Sequence, residues 1–193
     1  MDTKDQLTMQ AHLAEYQAMR AEIERRANSQ HLYTNYAMAF LGAITTAMGF
    51  SKDNPNIAIV FLVAPIFFSI LGILFLREAI IIMKIGNYIH NGIRPNVIRL
   101  LISDDIWKWE FFYFEEKLIK RLIVSALNRA RWLVFVIPSI ISLAFYHLVP
   151  KQTAIRHEDV LYIISVLVII FNIILALSER FVVRINLKTG SSA

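Results

Sequence analysis

The most constraining feature of this chain is the run Ile57–Leu76, which holds no charged residue and ends only at Arg77-Glu78. A hydrocarbon core about 30 Å thick takes roughly 20 residues of helix, so this run has the length of a membrane span. Three further apolar runs accompany it: Tyr36–Phe50, Trp132–Val149 and Val160–Leu177. The first is short and reaches span length only if it starts near Leu32 and ends near Ser51. With 56% hydrophobic and 18% charged residues in 193 positions, a soluble fold of this size would expose apolar patches that aggregate. The expected class is therefore all-α and integral to the membrane, with four transmembrane helices and helical cytoplasmic extensions.

Charge sets the expected orientation. Of the twenty Lys and Arg, seventeen fall in 1–34, in 77–131 and after 177, and only Lys52, Lys151 and Arg156 fall in the two short connections. The positive-inside rule puts the seventeen in the cytoplasm. The expected organisation is a cytoplasmic helix at 1–34, a hairpin of spans at 35–76 and a cytoplasmic helical segment at 77–131. A second hairpin follows at 132–177, then a cytoplasmic tail at 178–193. The expected place is the inner (plasma) membrane, multi-pass, with both termini cytoplasmic. Residues 1–34 have no apolar core or cleavage site of a signal peptide. The net charge of +5 is accounted for by topology, so no nucleic-acid partner is expected.

Helix breakers are sparse. No Gly or Pro precedes Gly42, so residues 5–50 can form one helix of roughly 65–70 Å. Its N-terminal part carries Leu13, Tyr16, Arg20, Ile23 and Ala27 on one stripe, and the apolar members need cover from another helix. The second span is expected to continue to Asn91-Gly92 and stop there, with Pro95 opening a short helix to Ile102. Ser103-Asp104-Asp105 would cap the next one. Pro65 and Pro138 are expected to kink the second and third spans, because each removes an amide and frees a carbonyl one turn back.

Several residues are candidates for function. Ala39, Gly42, Ala43, Thr46 and Ala47 form a small-residue face that lets backbones approach closely, within one chain or between copies. Asn172, near the middle of the fourth span, must find a polar partner; it serves either as a bond between helices or as a pore-lining group. Trp107, Trp109, Phe111 and Phe114, followed by Lys117, Lys120 and Arg121, make an aromatic and basic surface suited to headgroups or to a protein partner. Arg77-Glu78 reads as a snorkelling Arg beside an acid. No ionisable residue lies deep in any span, which disfavours a proton-coupled pump. The histidines at 12, 31, 90, 147 and 157 have no metal-ligand spacing, no phosphate loop or nucleophile elbow is present, and there is no cysteine. No enzyme activity, metal or cofactor is expected.

Glu15-Tyr16-x-x-Met19-Arg20-x-Glu22-Ile23, Ile85-x-x-Tyr88-Ile89 and Trp109-Glu110 give the chain, over residues 13–145, a resemblance to small prokaryotic four-helix membrane proteins. These have the build of membrane subunits in bacterial anti-phage defence systems. The resemblance implies membrane disruption, or signalling to a soluble partner. The leading expectation is a homo-oligomer in the lipid bilayer that forms or gates a pore. The alternative is an anchor and sensor that recruits a soluble cytoplasmic effector.

Overall fold

The structure, a computed structural model, describes residues 3–51, 54, 57–101, 118–148 and 158–189, with side chains throughout except at 118–131 and 175–189. Its helices are α1 (Thr3–Phe50), α2 (Ala58–Tyr88), α3 (Arg94–Leu101), α4 (Leu118–Leu148) and α5 (Glu158–Thr189). A π-helical turn, Ile89–Ile93, joins α2 to α3 without a break, so that Ala58–Leu101 is one helix of 44 residues. Among the described residues no strand occurs, and only Ser51 and Asn54 lie outside helical turns.

Helix α1 runs 48 residues because nothing in its sequence interrupts the amide ladder. Its end is closed locally: the Ser51 amide and hydroxyl both donate to the Met48 carbonyl, at 3.2 and 2.7 Å, and the Asn54 amide reaches Phe50 O at 3.2 Å. Carbonyls that the helix leaves unpaired at its end are thereby satisfied.

Two compact units share these helices. One comprises Met1–Gln30 and Leu76–Ser125, and the other His31–Phe75 and Ala126–Ala193. In the first, Ile89, Ile93 and Val97 are buried, and Met9, Tyr16, Met19, Ile23 and Ile85 pack against them. This is the cover the α1 stripe requires, although Leu13 and Arg20 lie on the exposed side. In the second unit, the portion of α2 from Ala58 to Phe75 is the hub. Phe61, Leu62, Ala64, Phe68, Leu71 and Phe75 are buried, at the three- and four-residue spacing of one helical face. Phe40 of α1 meets Phe67 and Phe68 at 4.2 and 5.4 Å between ring centroids. From α4, Phe145 meets Phe61 at 5.9 Å and Phe135 meets Phe75 at 5.5 Å.

The expected stop at Asn91-Gly92 does not occur. The Arg94 amide donates to Ile89 O, five residues back, and the turn widens instead of ending. Pro95 lacks an amide, and its ring crowds the carbonyl four residues earlier in an α-helix; a π turn carries the chain past that conflict. Asn96 donates its side-chain amide to Gly92 O at 3.0 Å. Gly92 has a packing role: a Cβ there would lie 3.2 Å from the Tyr88 ring. By length and composition, Ala58–Leu101 is the one helix among the described residues able to cross a membrane, and Trp132–Leu148 is a shorter apolar helix.

Candidate functional site

The polar groups of the second unit gather around Pro65. A proline at this position cannot donate to Phe61 O, and its ring disturbs the neighbouring pairing as well. The freed carbonyls are taken by other helices. Ser142 of α4 donates to Phe61 O at 2.9 Å, and Ser165 of α5 donates to Leu62 O at 2.6 Å. One turn along, Ser69 donates to Pro65 O at 2.7 Å, and the Asn172 amide of α5 donates to the Ser69 hydroxyl. Ser69, Ser142, Ser165 and Asn172 are all buried. Three helices therefore meet through hydroxyl–carbonyl bonds in an apolar interior, where such bonds are individually modest but costly to leave unmade.

Asn172 is thus bonded within one chain, to α2 through Ser69. Its Oδ1 is buried without a hydrogen-bond partner and faces Gly72, whose added Cβ would sit 3.6 Å from it and 3.5 Å from both Phe135 and Trp132. A methyl group at Gly72 would touch α4 and α5 at ordinary contact distance, so only a larger side chain would push them off α2 there. Pro138 lies in α4 one turn before Ser142, and Ser139 beside it donates back to Phe135 O at 2.7 Å.

The small-residue face has a different place. Ala39, Gly42, Ala43 and Thr46 are exposed and Ala47 is half-buried. A Cβ on Gly42 would meet nothing within 4 Å. The hydroxyls of Thr45 and Thr46 are turned onto their own helix, at Leu41 O (2.9 Å) and Gly42 O (3.0 Å). The face is therefore small, smooth and free of unmet donors, and within one chain only Ala47 packs.

In the first unit the residues of the two motifs converge. Tyr16, Met19 and Ile23 pack onto the cluster of Ile85 and Ile89, and the Tyr88 hydroxyl donates to Glu15 Oε1 at 2.6 Å. Nearby, Arg26 donates to Glu78 Oε2 at 2.7 Å and lies 2.5 Å from Glu22 Oε1, while Arg25 also reaches Glu22. Glu78 is buried and Arg77 exposed, because consecutive residues on a helix point about 100° apart. The acid of the Arg77-Glu78 pair is answered from α1. The hydrogen bond from Arg26 to Glu78 holds the Arg26 guanidinium above its ordinary pKa.

Trp107, Trp109, Phe111, Phe114 and Lys117 lie outside the described residues; Lys120 and Arg121 fall on α4, where side chains are not described. Among the described residues, no group of His, Asp and Glu is placed to hold a metal. Sequence reasoning missed the serines and the Arg26–Glu78 pair. A proline inside an apolar run implies a carbonyl in need of a donor, and serines at 142 and 165 of two other apolar runs were the signal. The chain matches no protein family, curated protein or solved structure.

Proposed function

We propose that the chain is a four-span membrane protein of the inner membrane that self-associates and forms or gates a pore, as a regulated membrane-disrupting effector of the anti-phage type. Twenty-six large hydrophobic side chains are exposed among the described residues, and twenty-two belong to the second unit. They lie on all four of its helical stretches, from Leu32 to Phe50, Ile59 to Ile73, Leu133 to Leu148 and Val160 to Ile174. This distribution is the observation that carries the reading. It suits helices with lipid on their outer faces and their polar groups satisfied inside. The four exposed large hydrophobics of the first unit, Leu7, Leu13, Tyr88 and Leu101, sit among charged residues, as befits the cytoplasmic side.

Self-association is supported by the uncovered face of Ala39, Gly42, Ala43 and Thr46. Small residues at four-residue spacing allow close backbone approach between helices, which in lipid is a principal source of attraction. Among the described residues of the second unit, the buried serine hydroxyls and the N–H donors of the Asn172 amide group are bonded within one chain, so a water path would have to arise between copies or by rearrangement.

The test is native mass spectrometry of the gently solubilised protein, followed by dye release from liposomes. Masses at multiples of 22.3 kDa, with release upon activation, support the reading. A single-copy protein in sealed vesicles contradicts it. Leu7 and Leu13, exposed at 63% and 38% beside the internal cluster, favour a second reading in which α1 docks a soluble cytoplasmic protein. Co-purification of one stoichiometric soluble partner would favour that.

A further inference from the structure

We propose that Pro65 is a latched hinge: α2 has a closed arrangement held by donors from α4 and α5, and a released one in which water reaches the Phe61 and Leu62 carbonyls. This concerns the interior of one chain and does not depend on self-association.

The Ser165 latch has a second acceptor on its own helix, whereas Ser142 donates to Phe61 O. The Ser165 hydroxyl lies 2.6 Å from Leu62 O and 2.8 Å from Leu161 O. A hydroxyl has one proton to give, so Ser165 bonds across to α2 or back to its own helix, with no donor orphaned either way. The Asn172 amide carries two hydrogens and reaches both Ser69 and, at 3.2 Å, Val168 O at once. Release therefore costs the Ser165 donor little. The acceptors differ. Phe61 O cannot be taken back by α2, since residue 65 carries no amide, and it needs either Ser142 or water.

The closed arrangement carries a cost of its own, because Asn172 Oδ1 is buried without a hydrogen-bond partner. A buried acceptor left unmet is a standing penalty that a second arrangement relieves. Ser142 lies one turn after Pro138, so the proline-bearing stretch of α4 supplies the donor for the carbonyl that Pro65 leaves unpaired in α2. Movement of α4 or α5 is thereby coupled to α2 at Pro65, and at Ser165 through a bond that exchanges rather than simply breaks. Small shifts at such a point become two-state changes because packed interiors do not deform continuously.

The experiment is hydrogen–deuterium exchange of the full chain in nanodiscs, followed over residues 61–70 with residues 37–44 as an internal reference. Replacing both latches by Ser142→Ala and Ser165→Ala should speed exchange over 61–70 by about tenfold or more, with 37–44 unchanged. Ser142→Thr and Ser165→Thr, which keep the hydroxyls, should restore slow exchange. In a Pro65→Ala background the helix supplies its own amide to Phe61 O, so the two serine substitutions should change exchange by less than about twofold. Unchanged exchange in the alanine pair would overturn the proposal. So would an equal acceleration with and without Pro65, which would mean that the serines merely stabilise packing. If the alanine pair does not fold, Ser142→Ala alone, whose acceptor is Phe61 O, is decided by the same two comparisons.

Discussion

The two units of this chain solve the same problem, holding helices together, with opposite materials. In the first, α1 meets the 76–101 stretch through a small apolar cluster bordered by charge: Arg26 between Glu78 and Glu22, and Tyr88 on Glu15. In the second, the contacts are aromatic rings and buried hydroxyls, and the outer surface is apolar on every helix. The first has its apolar groups inside and its charges near water. The second has its polar groups inside and its apolar groups outside. Two solvents account for the difference more simply than two folds would, since α1 and the Ala58–Leu101 helix contribute to both units without a break.

The comparison breaks most sharply at Glu78. Glu78→Ala leaves Arg26 with Glu22 alone and should give the largest loss of stability among these substitutions. Thermal unfolding in detergent would measure this, and the exchange of charges in Arg26→Glu with Glu78→Arg should recover part of the loss. A loss no larger than that caused by Arg25→Ala at the exposed Arg25–Glu22 pair would mean that Arg26–Glu78 is a surface ion pair of ordinary strength.

Two glycines sharpen the contrast within the second unit. Gly72→Leu pushes into Phe135, Trp132 and Asn172, and should destabilise a single chain by about 1–3 kcal/mol. Gly42→Leu meets open space and should leave the unfolding of a single chain unchanged while reducing the copy number seen by native mass spectrometry. If Gly42→Leu lowers neither copy number nor dye release, the small-residue face is not a contact between copies.

Next in size is Asn172→Leu, which removes the bond to Ser69 and also the unmet Oδ1. In lipid-exposed bundles such bonds average about 0.6 kcal/mol, so the net change should fall within about 1 kcal/mol of zero, read by the same unfolding assay. The smallest effect belongs to Tyr88→Phe. It removes an exposed bond to Glu15 and should leave the unfolding midpoint almost unchanged in the same assay.

Much of the fold was legible because period and breakers speak directly. The absence of Gly and Pro before residue 42 foretells a helix over 5–50, which is found at Thr3–Phe50, and the short helix expected from Pro95 appears at Arg94–Leu101. Asn91-Gly92 misleads because a terminator acts only where the chain has a reason to turn. Here packing of Ile89, Ile93 and Val97 under α1 favours continuation, and a π turn absorbs the proline. The need for a partner at Asn172 was legible from its position in an apolar run; the identity of that partner was not. Ser69 lies 103 residues away, and nothing local distinguishes it from the other serines. Glu78 was misread for a similar reason, since its neighbour in sequence points elsewhere and its partner lies 52 residues away.

The central claim of the proposed function is that the apolar hairpins at 35–76 and 132–177 span the bilayer, with residues 1–34 and 77–131 in the cytoplasm. It is tested most directly by labelling from one side, for which a chain without cysteine is well suited. Single cysteines at Asn54, in the connection between α1 and α2, and at Gln10 and Asn91, all three exposed, would be treated with a membrane-impermeant maleimide on intact cells. The account predicts labelling at 54 before lysis, and at 10 and 91 only after the membrane is opened. Labelling at 10 or 91 on intact cells, or protection of all three until lysis followed by release with the soluble fraction, would contradict it.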